Sequence, residues 1–136
     1  ETRIYLMFMH FSILLISFKK KKIKFNQKDY DFFFHSIENN LRELGLGDVA
    51  VNKKMKDLNK HFYNILLKIL DKSDERTFKM NFKLVSNYFD DFKTQTSNNY
   101  RIFTDYFKFF NNFCFELADK NMIKDLIKFK YNYGRT

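Results

Sequence analysis

Few side chains in this sequence are of the kinds that make or break bonds. The histidines His10, His35 and His61 have no other His or Cys three or four residues away, so none of them begins a zinc-binding pattern. The single cysteine, Cys114, stands between Phe110 and Leu117 on an apolar seam, which suits a core position. It excludes an internal disulfide and a cysteine zinc cage, and no activating base accompanies it as a nucleophile. Asp71, Ser73 and Glu75 imitate the opening of a calcium loop, yet Arg76 occupies the glycine position and the closing glutamate is missing. Asp29, Asp31, Asp90 and Asp91 fall at expected helix ends or among mixed charges, the pattern of solvated surface. Gly45-Leu46-Gly47 has neither the preceding strand nor the following Gly-Lys-Ser/Thr of a phosphate loop. No catalytic, cofactor-binding or metal-binding set emerges, and the chain reads as a non-enzyme.

Binding is a better prospect than catalysis. Lys and Arg number 25 against 16 Asp and Glu, a net charge of +9. That balance favours acidic partners: nucleic acid, anionic lipid or acidic protein surfaces. The charge gathers at Arg42 and then at Lys53, Lys54, Lys56 and Lys60, on either side of a glycine turn. A helix, a turn and a basic helix suggest a DNA-binding helix-turn-helix. However, Gly45 to Val51 exceeds the ~3–4 residues of that turn. The basic helix also lacks the cluster of Arg, Gln and Asn that reads base edges. DNA is therefore not expected, while RNA, the ribosome and anionic lipid stay open because phosphates need only positive charge.

The elements that must position these residues are helices. The chain has 136 residues, 45% of them hydrophobic, with 19 Phe, 3 Gly and no Pro. That is one domain with a real core and little turn punctuation. Ile4 to Phe18 is the most apolar run. It falls short of the ~17–25 residues of a membrane span, so a buried helix is expected and no spanning helix. Arg3, His10 and Ser17 recur at heptad spacing and form a polar stripe along it. Asn26 is the expected cap of a second helix, with its apolar face at Tyr30, Phe33, Phe34, Ile37, Leu41 and Leu44. Gly45 is its expected left-handed stop. Asn52 is the expected cap of a third helix, with Met55, Leu58, Phe62, Ile65, Leu66 and Ile69 inward. Asp48, between the two, is expected to accept amide hydrogen bonds. Ser73 is read as the cap of a helix whose seam is Phe78, Phe82, Val85, Phe89 and Phe92. Tyr100, Phe103, Phe107, Phe110, Cys114 and Leu117 repeat that seam, which predicts an antiparallel helix pair. A last short helix is expected from Asn121 to Tyr131. The whole reads as all-α, a single compact domain of five to six helices over residues 1–136, without a sheet.

The segment Asn40-Leu41-Arg42-Glu43-Leu44-Gly45-Leu46-Gly47-Asp48-Val49, with Val51, Lys53 to Lys56 and the pair Phe62-Tyr63, resembles the ubiquinol–cytochrome c chaperone family. These are assembly factors for the respiratory bc1 complex. Members carry a Leu-Arg-Glu-hydrophobic-Gly-hydrophobic-Gly-Asp segment, a basic helix start and a Phe-Tyr pair at this distance. Arg3 and His10 are similar to an upstream arginine and histidine of the family. Met80 replaces an arginine before Asn81-Phe82, and Asn64-Ile65 stands where members often have Gly and Arg. The likeness is specific from Leu41 to Tyr63. The family's N-terminal portion is absent, and an incomplete N-terminus is expected.

The resemblance implies a non-enzymatic chaperone without cofactors that binds newly made cytochrome b or another bc1 subunit. A small assembly-factor partner and contact with the ribosome or an anionic membrane are implied too. The expected location is the cytoplasmic face of the bacterial inner membrane or the mitochondrial matrix side. The partner-binding residues are expected to be Arg42, Gly45, Gly47, Asp48, Lys53, Lys54, Lys56, Phe62 and Tyr63. Two alternatives stand beside this reading: a small basic helical module that binds RNA or the ribosome, and an interfacial membrane protein held by Ile4 to Phe18.

Overall fold

The computed structural model describes residues 2–71 and 77–120. The architecture is all-α, and among the described residues there are five helices: α1 Thr2–Lys20, α2 Gln27–Glu43, α3 Asp48–Lys68, α4 Phe82–Tyr88 and α5 Asn98–Lys120. The expected helix from Asn121 to Tyr131 and the expected cap at Ser73 lie outside the described residues.

The apolar run extends into a 19-residue helix, long and apolar enough by length and composition to cross a membrane. In the fold it is the central element, with α3 and α5 both packed against it. Phe8, Met9, Ile13, Leu14 and Phe18 are fully or almost fully buried. The polar stripe does not face solvent throughout. His10 and Ser17 are buried and turn towards α5, while Arg3 is exposed. His10 Nδ1–H donates to the Leu6 carbonyl at 2.8 Å, and Nε2 meets the Tyr106 hydroxyl at 2.5 Å. The Ser17 hydroxyl donates to Asn111 Oδ1 at 3.5 Å. A polar seam thus sets the register of α1 on α5, because a buried polar group without a partner costs more than a paired one.

The other side of α1 carries an aromatic cluster. Phe11 stacks on Phe33 at 4.0 Å between centroids, and Phe62 meets Phe8 at 5.3 Å and Phe34 at 5.0 Å. Offset and edge-to-face contacts of this kind add to burial. They join α1, α2 and α3 into one core.

Two helices end in the same motif. Leu46 N–H reaches the Leu41 carbonyl and Gly45 N–H the Arg42 carbonyl, with Gly45 at φ +94°. Ile23 and Lys22 repeat these bonds on Phe18 and Lys19, but there the left-handed residue is Lys22, at φ 59°. Asn26 caps α2 as expected, accepting from Lys28 N–H.

Two expectations need correction. Asn52 is inside α3, which starts at Asp48 with Gly47 as its cap residue. The Gly45 stop lets the chain turn at once, so no longer loop is needed. The seam from Phe78 to Phe92 is not one helix and does not pair along α5. Met80 forms an isolated bridge with Leu70, α4 has 7 residues, and Phe89 is already extended. Asp90 and Asp91 follow directly, and two carboxylates are unfavourable at the negative end of a helix. The seam's rings still reach α5: Phe82 meets Tyr100 at 4.9 Å and Phe92 meets Phe103 at 4.8 Å.

Candidate partner-binding site

The α2–α3 corner is built from backbone first. Gly45 ends α2 in a conformation that a side chain would strain, and Gly47, extended at φ −73° and ψ 168°, hands the chain to α3. Arg42 then bridges the corner. Its guanidinium lies 3.2 Å from Glu38 on its own helix and 3.5 Å from Asp48, the first residue of α3. Asp48 thus answers the Arg42 charge while sitting at the positive end of α3. Around this clamp Leu44, Leu46 and Val49 are exposed, with Val49 at 83%.

From there α3 carries two opposite stripes. Val51, Leu58, Phe62, Ile65 and Ile69 are buried. Val49, Lys53, Lys56, Lys60, Tyr63 and Leu67 follow each other by alternating steps of four and three residues, the spacing of one helical face. All six are exposed. This face is roughly 27 Å long at 1.5 Å per residue. Lys53, Lys56 and Lys60 have no carboxylate partner among the described residues, so the middle is positive while both ends are apolar.

The expected site residues therefore separate. Arg42, Gly45, Gly47 and Asp48 shape the corner. Lys53, Lys56 and Tyr63 share the outer face. Lys54 is half-buried on a different side. Phe62 has no exposed surface, so it supports α3 from the core and is not in reach of a partner. Tyr63 is 53% exposed and is hydrogen-bonded to Tyr30 of α2. Burial, that bond and the charge of Asp31 push the Tyr30 hydroxyl up to about 12.

The alignment of Val49, Lys60 and Leu67 with these residues is legible in the spacing once α3 is started at Asp48. A second group went unnoticed. Tyr88 OH lies 2.9 Å from His61 Nδ1 and accepts from Asn64 Nδ2 at 2.9 Å, while His61 Nε2 is 3.8 Å from Asp57. Tyr5 packs edge-on against His61 and Tyr88, and its hydroxyl is raised by burial and then by Asp57. The group fastens α4 and α1 to α3. Among the described residues no three His, Cys, Asp or Glu side chains come together as metal ligands would.

A family model described as ubiquinol-cytochrome C chaperone matches residues 1–99, which span the corner and the whole of α3. The chain belongs to the ubiquinol–cytochrome c chaperone family. No curated protein and no solved structure matches it. The family match covers α1 to α4 and ends as α5 begins. The matched region therefore includes α1 but only the first two residues of α5, the helix packed against it.

Proposed function

We propose that this chain is a non-enzymatic assembly chaperone of the cytochrome bc1 complex, which binds newly made cytochrome b or another bc1 subunit. The family match carries this reading. The outer face of α3 supports it. Three lysines without carboxylate partners among the described residues would draw in an acidic or anionic surface, and the apolar ends would hold a hydrophobic client segment. The proposed setting is the cytoplasmic face of the bacterial inner membrane or the matrix side of its mitochondrial equivalent. There each basic residue near an anionic leaflet adds about 1 kcal/mol. A small assembly-factor partner and the ribosome belong to the same proposal.

Affinity capture from native membranes tests it. The chain should recover cytochrome b or another bc1 subunit, and Lys53→Glu/Lys56→Glu/Lys60→Glu should reduce recovery by about tenfold or more. The circular dichroism spectrum of that variant should not change, since all three side chains are exposed. Recovery of no bc1 subunit, together with normal complex III in a deletion strain, would sink the proposal.

A further inference from the structure

The C-terminal halves of α1, α3 and α5 do not close on one another. Between them lies a groove of about 950 Å³, near the upper end of the ~300–1,000 Å³ of small-molecule sites. Its floor is aliphatic, formed by Leu15 and Ile16 of α1, Leu66 and Leu67 of α3, and Leu70 just beyond. Leu67 leaves 62% of its surface in water. The rim is cationic. Lys19 and Lys20 stand at the end of α1 and Lys108 on α5, all three exposed. Asp71 is the one carboxylate among the described lining residues, and Lys79 lies 3.8 Å from it. Lys19, Lys20 and Lys108 have no carboxylate partner among the described residues. Lys21 adds its charge beside them, 5.5 Å from the ring of Phe115, which also lines the groove. Asn111, which also lines the groove, accepts from the Ser17 hydroxyl at Oδ1 and carries two further amide N–H donors.

This combination selects among ligand classes. A bare phosphate or carboxylate would leave the leucine floor wet. A neutral lipid would cover the floor and leave the rim charges unanswered. Nucleobases need flat aromatic faces to stack on; Phe78 and Phe115 are at the groove, but five of its seven apolar lining side chains are Leu and Ile, which suit an alkyl chain better. A molecule with one apolar chain and one anionic head answers both halves. We propose that the groove binds a single-chain anionic amphiphile, a long-chain carboxylate, with its chain along the leucine floor and its head among Lys19, Lys20 and Lys108. The site shares only Leu67 with the outer face of α3 and does not depend on the chaperone reading.

Calorimetric titration of the full chain tests this, using laurate below its micelle concentration, dodecyltrimethylammonium of equal chain length, and acetate. Laurate should bind saturably at one site, the cationic amphiphile about tenfold or more weaker, and acetate not at all. Lys19→Glu/Lys108→Glu should weaken laurate by about tenfold or more with an unchanged circular dichroism spectrum. Lys53→Glu/Lys56→Glu/Lys60→Glu, which lies outside the groove, should bind laurate like the parent. Equal affinity for the two amphiphiles, uptake at many sites, or laurate binding that survives the groove charge reversal overturns the proposal.

Discussion

Phe62 and Tyr63 are neighbours in sequence with opposite surroundings, so truncating each to alanine tests the placement of α3. Phe62 is fully buried and its ring meets Phe8, Phe34 and Phe11 at 5.3, 5.0 and 5.9 Å. A buried aromatic side chain hides about 150–250 Å². At about 25 cal/mol per Å² that corresponds to roughly 4–6 kcal/mol, part of which alanine keeps. Measured Phe→Ala losses in cores are about 3–5 kcal/mol, so we expect about 4 for Phe62→Ala. Tyr63→Ala loses a half-exposed ring and the hydrogen bond with Tyr30, which is worth about 0.5–1.5 kcal/mol. We expect about 1–2 kcal/mol in all. Urea unfolding followed by far-UV circular dichroism reads both. With a slope of about 1.5 kcal/mol per M, the midpoint should fall by about 2.5 M for Phe62→Ala and by about 1 M for Tyr63→Ala. Against a domain stability of about 5–15 kcal/mol, Phe62→Ala leaves a marginal fold. Client capture should separate the pair in the other direction, with Tyr63→Ala weakening capture while it remains folded. A Phe62→Ala loss below about 1.5 kcal/mol, or one smaller than that of Tyr63→Ala, would refute the inward placement of the Phe62 face.

Tyr30 supplies a pH test. Its hydroxyl is raised from 10.0 to about 12, so the folded state holds the proton more tightly than the unfolded chain. The associated stability is complete below about pH 10 and is lost as pH rises through about 12. Tyr30→Phe should therefore flatten the fall in stability between those values, as read from urea midpoints across the series. The two left-handed helix stops should respond with opposite signs in the same assay. Lys22→Gly should stabilise by about 0.5–1 kcal/mol, because Lys22 sits at φ 59°. Gly45→Ala should destabilise by about 1 kcal/mol through its backbone alone, since nothing lies within 4 Å of the added Cβ.

Where the sequence carried periodicity, the fold could be read from it. Leu41, Phe62, Phe107 and Cys114 are buried as their spacing requires. Asn26 and Gly45 bound α2 because a side-chain acceptor and a permissive backbone act locally. The failures have tertiary or competing causes. Asn52 has good capping chemistry, but α3 had already begun at Asp48, where Gly47 and the Arg42 bridge supply a start. The Phe78 to Phe92 seam has helical spacing. The bridge between Met80 and Leu70 and the acidic pair Asp90-Asp91 still restrict it to a short helix. The candidate surface was half legible. Its lysines stood out by charge, but their alignment with Val49, Tyr63 and Leu67 depended on where α3 begins. Phe62 was read both as core and as contact, and only burial decides between the two.

The seam between α1 and α5 has a consequence for the order of events during synthesis. His10 meets a hydroxyl 96 residues further along the chain. Loops of that size close slowly compared with the local hairpin of α2 and α3. A ribosome therefore releases an apolar helix of membrane-spanning length well before the segment that covers its second face exists. During that interval the nascent domain, itself a member of a chaperone family, presents the kind of surface that invites misinsertion or aggregation. Slowing elongation between α3 and α5 should lengthen this vulnerable period, while supplying α5 early in a circular permutant should shorten it.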